Sequence, residues 1–247
     1  MTSNSEASAV LSAATTMPLP RVRLAPQPSA QPSAQPVPIQ LALLVEPSRY
    51  ERLIKPVVDR IAGVILLLAV APILAVIALA VYLHLGRPIF IGQTRIGQLG
   101  EPFTLYKFRT MRPDRRKRAE SIDFPDRRRT HKHPNDPRHT PLGRFLRKYS
   151  LDELPQMLNV ARGDMSLVGP RPEMAEIVAR YEPWQHARHR VKPGLSGLWQ
   201  VTERGNGLMH EHTEIDLLYA REVSLRGDVS ILLRTVPILF GRSCAGD

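Results

Sequence analysis

The sequence predicts a mainly helical α+β domain that is anchored to a membrane by one apolar helix and carries a short β-hairpin. Three observations support this fold class. Residues Ile61–Leu83 form a run of 23 residues without a charge, which is the length of a membrane helix. Two β-rich segments follow it around a turn rich in glycine and proline. Capping signals for helices then recur through the later part of the chain.

The composition favours anionic partners and a reducing compartment. The 247 residues include 34 lysines and arginines against 23 acidic residues, for a formal net charge of +11 at pH 7. A phospholipid surface, a phosphorylated substrate or a nucleic acid would each complement this charge. Cys244 is the single cysteine, so an intramolecular disulfide is excluded.

Residues 1–48 are predicted to be a disordered tail. Pro28–Gln31 is repeated as Pro32–Gln35 within a stretch dominated by proline, alanine, serine and glutamine. Such a segment buries too little apolar surface to offset the entropy lost on ordering it. The sequence therefore predicts this tail, a membrane region over 49–87 and a further domain over 88–247.

The apolar run has Pro72 at its middle, with eleven uncharged residues on each side. Proline removes a helical hydrogen bond and kinks a helix. Basic residues flank both ends of the run, so the positive-inside rule favours neither orientation. A re-entrant helix that bends at Pro72 and returns to the side it entered from would satisfy both flanks. A kinked helix that crosses the whole membrane is the alternative.

A β-hairpin is predicted over Ile89–Met111. The runs Ile89–Ile91 and Phe103–Phe108 flank a turn region that contains two glycines and a proline. Alternate side chains of a strand share a face, so Lys107 and Arg109 are expected on the same face. Two cations close to a membrane suit a diphosphate or a lipid phosphate. A solvated strand face is the alternative.

Residues 112–140 are rich in arginine and lysine, and a loop that faces anionic lipid is the favoured interpretation. His131, His133 and Asp136 lie in this run, but no second ligand pair has matching spacing, so zinc is not favoured. Nucleic-acid binding is the main rival. The run lacks interleaved aromatic residues that stack on bases, and we expect no nucleic-acid partner.

The segment Ser150–Glu153 is a capping box, which predicts a helix that starts with Ser150 as its N-cap. Asp152 and Glu153 would then lie in the first turn, where the helix dipole favours carboxylates. An exposed Asp152 in this field is expected to have a lowered pKa and to be ionised at neutral pH. A helix cap without any chemical role is the alternative.

Arg171 lies between two prolines, Pro170 and Pro172. Each proline restricts its own backbone and that of its predecessor, so the arginine is held in a rigid, extended segment. A guanidinium in a fixed orientation suits bidentate binding of a phosphate or a carboxylate. A turn in which Arg171 merely pairs with a nearby acid is the alternative.

Three motifs resemble the signature of the bacterial sugar transferases, the monotopic phosphoglycosyl transferases that start exopolysaccharide and glycan assembly. They are SLDELPQMLNVARGDMSLVGPRPE, YKFRTM at Tyr106–Met111 and KPGLSGLWQV at Lys192–Val201. The resemblance implies a re-entrant helix, which the family breaks at a Ser-Pro pair where this chain has Ala71-Pro72. It also implies a catalytic domain on the cytoplasmic face of the bacterial inner membrane.

The resemblance implies transfer of a sugar-1-phosphate from a UDP-sugar to undecaprenyl phosphate, a polyprenyl phosphate. Asp152 is implied to attack the sugar-bearing phosphate, release UMP and carry the phosphosugar covalently. Glu153 is implied to assist, and the two carboxylates are the candidate ligands of Mg²⁺ or Mn²⁺. Lys107, Arg109 and Arg171 are the candidate phosphate contacts. No residue identifies the sugar, and the oligomeric state is open, a homo-oligomer included.

Further candidates follow the signature. Trp199 and Gln200 offer an aromatic face and an amide for a base or a sugar, although Trp199 equally suits a core. Arg204 is a substrate-binding candidate by resemblance alone, with Glu203 before it in place of the family's small residue.

Helices are predicted over Met174–His189, Met209–Val223 and Val229–Phe240, the last capped by Asp228. The last helix is mostly apolar with arginines around it, which is typical of an interfacial membrane helix. Packing onto the domain core is an equal alternative. The second helix contains residues that resemble an acid-rich D-x-x-Y region of the family: Glu214, Asp216 and Tyr219.

Two functions without catalysis are alternatives to the enzyme. A membrane-anchored basic adaptor would need only the apolar helix and the cationic surface, and it would tolerate the loss of Asp152. A nucleic-acid-binding protein would show salt-dependent affinity for DNA or RNA. The three intact motifs favour the enzyme.

Overall fold

The computed structural model describes residues 46–112, 138–202 and 212–239. The chain divides into two units, Met1–Gln35 and Pro36–Asp247, and every described residue belongs to the second. Several sequence predictions lie outside the described residues: most of the tail over 1–48, most of the basic run 112–140, the start of the helix predicted over 209–223, and Arg204.

The described chain is mainly helical and contains two small sheets, which confirms the predicted α+β class. The α-helices are α1 (Lys55–Leu85), α2 (Pro141–Lys148), α3 (Met157–Arg162), α4 (Ala175–Val178), α5 (Leu198–Thr202), α6 (Thr213–Arg221) and α7 (Leu225–Leu239). The strands are β1 (Phe90–Ile96), β2 (Pro102–Phe108), β3 (Ser166–Val168) and β4 (Gly194–Ser196). A π-helical turn at Tyr50–Ile54 and 3₁₀ segments at Gln98–Gly100, Leu151–Gln156 and Pro183–Arg190 complete the order.

Helix α1 and the turn before it are long and apolar enough to cross a membrane. Only 11% of the residues in its most apolar stretch are buried, whereas a core helix of a soluble domain is mostly buried. Leu68 and Val76 are each 69% exposed. Pro72 lies inside the helix. These properties suit a membrane anchor.

Both ends of α1 pack against the rest of the domain. The buried residues of its first half end at Gly63, and those of its second half begin at Ile77. A Cβ atom on Gly63 would lie 2.9 Å from the backbone nitrogen of Ala161, so only glycine permits this close contact with α3. Ile77 belongs to a buried apolar cluster with Phe108 of the hairpin.

Strands β1 and β2 form the predicted antiparallel hairpin, in which Phe90 is opposite Phe108 and Ile96 is opposite Pro102. The rings of Phe90 and Phe108 stack with their centroids 4.9 Å apart. Phe108 is 1% exposed, and its burial against α1 fixes the position of the whole hairpin.

A second sheet pairs β3 with β4 in parallel, with Val168 opposite Ser196. No sequence signal predicts this sheet, because three-residue strands show no usable periodicity. The chain then passes so close to β4 that a Cβ atom on Gly169 would lie 2.3 Å from the carbonyl oxygen of Lys192. This packing places the segment 169–172 at the edge of the second sheet.

Two helix predictions in the later part of the chain are wrong. Met174–His189 is not one helix, since α4 is followed by a separate 3₁₀ segment that begins at Pro183, a residue without a backbone N–H. Asp228 is not an N-cap, because α7 begins at Leu225. The Asp228 carboxylate instead lies 2.6 Å from the ammonium group of Lys55.

Candidate active site

The carboxylates Asp152 and Glu153 lie on a short 3₁₀ helix rather than on the predicted α-helix. Pro155 has no N–H to donate to a preceding carbonyl, which disfavours a regular α-helical turn here. Ser150 precedes the helix as predicted, but its φ of 55° is left-handed and its side chain does not cap the helix. The predicted capping box is therefore absent, and the Glu153 side chain has other partners.

Asp152 is 8% exposed, so the predicted exposed position is wrong. Burial raises the pKa of the Asp152 carboxyl, and the neighbouring negative charge of Glu153 raises it further. The cations of Lys107 and Arg171 oppose this shift without cancelling it. The prediction of a lowered pKa is wrong because burial and Glu153 outweigh these favourable charges.

Glu153 forms the centre of an ion-pair cluster. Its Oε1 atom lies 2.9 Å from Nζ of Lys107 and 2.5 Å from a guanidinium nitrogen of Arg171. A second Arg171 nitrogen donates to Oε2 at 3.2 Å, which makes the arginine contact bidentate. Burial alone would raise the pKa of Glu153, but the two cations more than offset it and hold the pKa well below its usual range.

Lys107 reaches this cluster from the second-to-last position of β2, where it is opposite Ile91. Burial lowers the pKa of the Lys107 ammonium, and the Glu153 charge opposes that shift. Arg171 reaches the cluster from the loop after β3, and the Glu153 carboxylate raises the pKa of its guanidinium. The cluster thus joins three elements that are distant in sequence.

Arg109 has partners other than the carboxylates. Its guanidinium donates to the backbone carbonyls of Leu85, Gly86 and Arg87, at and just after the end of α1. Carbonyls at a helix C-terminus lack helical partners and form the negative end of the helix dipole, so they attract a cation. The structure therefore gives Arg109 a bracing contact to the anchor helix, while its phosphate contact stays a prediction.

Gln200 lies in α5, where its amide nitrogen donates to the carbonyl of Leu195 at 3.0 Å. Trp199 beside it is 9% exposed, so its place in the core is confirmed. Arg204, the other substrate-binding candidate of this region, is outside the described residues.

Asn159 supports the site, although the sequence analysis did not select it. It is fully buried in α3. Its amide nitrogen donates to the Thr104 carbonyl at 2.7 Å, and its amide oxygen accepts from the Tyr106 backbone nitrogen at 3.2 Å. These bonds hold β2 beside α3, which directly follows the 3₁₀ helix that carries the carboxylates. The sequence signal for this role was a polar amide between two apolar residues, Leu158 and Val160.

Within residues 46–112, 138–202 and 212–239, no group of three or more histidine, cysteine or acidic side chains is placed to hold a metal ion. Asp152 and Glu153 nevertheless offer hard oxygen donors. Mg²⁺ typically takes one or two carboxylates and completes its coordination with substrate phosphates and water. The residues present therefore fit a Mg²⁺ that arrives with a phosphorylated substrate.

A profile of the family described as bacterial sugar transferase matches residues 50–242. The chain belongs to this family. The match confirms the predicted family and the predicted enzyme class, a phosphoglycosyl transferase. The adaptor and nucleic-acid alternatives are not favoured.

The transferase is similar to curated proteins from several bacteria. It is 39% identical over 184 residues to the uncharacterized sugar transferase EpsL of Bacillus subtilis. The aligned region covers 74% of this chain and 86% of EpsL. It is 37% identical over 185 residues to the exopolysaccharide production protein ExoY of Rhizobium meliloti, covering 72% of this chain and 82% of ExoY.

A third relative is the UDP-glucose:undecaprenyl-phosphate glucose-1-phosphate transferase of Escherichia coli. Identity is 40% over 200 residues, which covers 76% of this chain but only 40% of that protein. The transferase thus spans most of EpsL and ExoY and less than half of this relative.

Proposed function

We propose that the transferase moves a sugar-1-phosphate from a UDP-sugar to undecaprenyl phosphate and releases UMP, through a covalent phosphosugar on Asp152. The observation that carries this proposal is the asymmetry of the carboxylate pair. Glu153 is bound by two cations, whereas Asp152 is buried beside them with a raised pKa. Relatives in Escherichia coli and Caulobacter vibrioides are both named UDP-glucose:undecaprenyl-phosphate glucose-1-phosphate transferase, which supports the proposed donor and acceptor.

The reaction consists of two successive nucleophilic displacements at one phosphorus atom. A carboxylate oxygen of Asp152 first forms a bond to the sugar-bearing phosphorus, and the bond from phosphorus to the UMP oxygen breaks with its electron pair. A phosphate oxygen of the lipid then attacks the same phosphorus. The bond to Asp152 breaks, which regenerates the carboxylate. Splitting the transfer in this way avoids direct encounter of two anionic substrates.

The environment of Asp152 suits a nucleophile. A carboxylate whose pKa is raised is more basic than an ordinary aspartate and is still ionised at neutral pH when the shift is moderate. Lys107 and Arg171 limit that shift, since both lower the pKa of Asp152. Their charges also complement the phosphate oxygens that develop negative charge during the displacement.

The proposed metal is Mg²⁺ or Mn²⁺, held by Asp152 and Glu153. When bound, such a cation neutralises phosphate charge and stabilises the departing nucleotide. Glu153 would exchange part of its contact with Lys107 or Arg171 for this role. The released cations would then be available to the substrate phosphates.

The proposed membrane geometry is a re-entrant helix that bends at Pro72 and leaves the catalytic domain on the cytoplasmic face of the bacterial inner membrane. Gly63 contacts Val160, whereas Leu154 packs against the cluster that contains Ile77. Contacts of both halves of α1 with the same domain support a bend at Pro72.

Helix α7 supports an interfacial position for the domain. Leu225, Val229, Leu233 and Val236 are 45–66% exposed, and their spacing places them along one side of the helix. An exposed apolar stripe on a basic protein suits the boundary between lipid headgroups and acyl chains.

A UMP-release assay tests the proposed function. The detergent-purified transferase is incubated with undecaprenyl phosphate, Mg²⁺ and each of a panel of UDP-hexoses and UDP-acetamido sugars. We expect UMP and a lipid-linked phosphosugar from at least one donor, and neither product from the Asp152→Asn variant. Lipid product formed equally well by that variant would contradict the proposal.

A further inference from the structure

Helix α6 holds both ends of the loop that carries Arg171. At one end, the hydroxyl of Tyr219 lies 2.8 Å from the carbonyl oxygen of Val168. The same hydroxyl lies 2.8 Å from the Asp228 carboxylate, so the tyrosine is itself anchored to α7. Tyr219 is 6% exposed. The last residue of β3 is thus fixed to α6 just before the loop begins.

The other end of the loop is held by Arg188. Its guanidinium donates to the backbone carbonyl of Arg171 at 2.8 Å and to the Tyr181 hydroxyl at 2.6 Å. It also forms an ion pair with Asp216 of α6 at 2.6 Å. The Arg188 and Asp216 side chains are both 2% exposed.

Asp216 and Tyr219 lie three positions apart on α6, so they share one face of the helix. One rigid element therefore fixes two carbonyls, those of Val168 and Arg171, on either side of Gly169-Pro170. The backbone of Gly169 also packs closely against that of Lys192, with no space for a Cβ atom between them.

Stability alone does not explain why the Arg188–Asp216 ion pair is so deeply buried. Desolvation of the two charges opposes their attraction, and well-packed apolar residues of similar volume stabilise a fold equally well. What an apolar pair does not supply is the hydrogen bond from Arg188 to the Arg171 backbone.

We infer that Arg188, oriented by Asp216, is a positioning residue for the transfer reaction: it fixes the backbone of Arg171 so that the Arg171 side chain lies on Glu153. The inference rests on the proposed function in one respect, the role of Arg171 at the phosphates. The claim that Arg188 orders the loop is independent of that role and is measured separately.

The test uses a paired substitution, Arg188→Met with Asp216→Leu, in the full-length transferase. Removing both charges keeps the site packed and leaves no unpaired ion. The matched control is Arg190→Met with Glu51→Leu, which removes a less deeply buried ion pair, at 2.9 Å, and a contact to the Ala220 carbonyl of α6, but no bond to the loop. Circular dichroism establishes that both variants are folded. A third variant, Tyr219→Phe, removes only the hydroxyl that bonds the Val168 carbonyl at the other end of the loop.

The first readout is hydrogen exchange of the peptide that spans residues 166–174. We expect exchange there to be faster by about 10-fold or more in the Arg188/Asp216 variant and unchanged in the control. Unchanged exchange in both variants would overturn the inference, whatever the activity.

The second readout is a double-mutant cycle with Arg171→Lys. The Arg188/Asp216 variant alone should lower kcat by about 10- to 100-fold, because small errors in placement are costly for catalysis. In the Arg171→Lys background it should lower kcat by less than about 3-fold, since the shared interaction is already lost. If the Arg188/Asp216 substitutions lower kcat by the same factor with and without Arg171→Lys, the inference is overturned. If Arg171→Lys itself leaves kcat intact, the proposed role of Arg171 fails, and the exchange measurement alone decides the ordering role of Arg188.

Discussion

The carboxyls of Asp152 and Glu153 are adjacent in the chain, yet their pKa values shift in opposite directions. The pKa of Asp152 is raised by burial and by the charge of Glu153. The pKa of Glu153 is lowered by its contacts to Arg171 and Lys107, despite its own burial. Environments that separate two neighbouring pKa values usually mark a division of roles. Here the division favours Asp152 as the group that reacts and Glu153 as the group that organises the cations.

The first prediction concerns the pH dependence of turnover. Asp152 reacts only when ionised, so the rate should fall as the pH drops through its raised pKa. Lys107 lowers that pKa, and Lys107→Met should therefore move the acidic limb of the rate profile to higher pH. The measurement is kcat/KM for UMP release against pH. Lys107→Arg, which keeps the charge, is the control, and an acidic limb that stays in place in Lys107→Met would contradict the assignment.

The second prediction concerns Glu153→Gln. The change leaves two cations without their shared carboxylate, so the free energy of unfolding should fall by about 1–3 kcal/mol. It also removes a charge that raises the pKa of Asp152, so the acidic limb should move to lower pH. Denaturant unfolding and the same rate profile measure both effects. Glu101→Gln, an exposed change in the hairpin turn, should alter stability by less than about 0.5 kcal/mol. An acidic limb that moves to higher pH in Glu153→Gln would contradict the electrostatic account.

The third prediction concerns the metal. We expect chelation with EDTA to abolish turnover and added Mg²⁺ to restore it, because two carboxylates facing a diphosphate need a counter-charge. Mn²⁺ should substitute for Mg²⁺, since it shares the preference for oxygen ligands. Full activity in the chelator would remove the metal from the mechanism and leave Lys107 and Arg171 to balance the charge.

The fourth prediction concerns the anchor. Single cysteines at the exposed positions Arg52 and Arg87, in a Cys244→Ser background, should both be labelled only from the cytoplasmic side of intact cells. Lys55 is unsuitable for a label, because its ammonium group is buried against Asp228. Labels that report opposite sides of the membrane would establish a spanning helix and contradict the re-entrant proposal. The catalytic proposal would be unaffected.

Local sequence signals predicted much of the fold, whereas the cluster needed the resemblance to a family. The hairpin was predictable because its β-rich runs and turn residues are adjacent in the chain. The meeting of Asp152, Glu153, Lys107 and Arg171 was predictable only through the resemblance to a family, since these residues are brought together by three separate elements.

The errors at the candidate site share a physical cause, which is burial produced by distant contacts. The short-range pattern around Ser150 predicts a capped, exposed helix start, but Asp152 is buried, and β2 and the loop after β3 provide the partners of Glu153. Arg109 continues the strand pattern of Lys107, yet its partners are carbonyls at the end of α1. Likewise, Arg188 is one cation among many in the sequence, and only the fold shows its contact with Arg171.

A single-substrate experiment tests whether Asp152 carries a covalent phosphosugar. The transferase is incubated with the UDP-sugar it uses, with Mg²⁺ and without lipid acceptor, and then analysed by intact-protein and peptide mass spectrometry. We predict up to one equivalent of UMP and a phosphosugar adduct on the peptide that contains Asp152. The adduct should disappear when undecaprenyl phosphate is added.

Asp152→Asn is the matched control. Asparagine is close in size to aspartate, so the variant should fold, form no adduct and lose turnover by a factor on the order of 10⁴ or more. UMP that appears only when both substrates are present, together with substantial turnover by Asp152→Asn, would contradict the account and establish direct transfer between the two substrates.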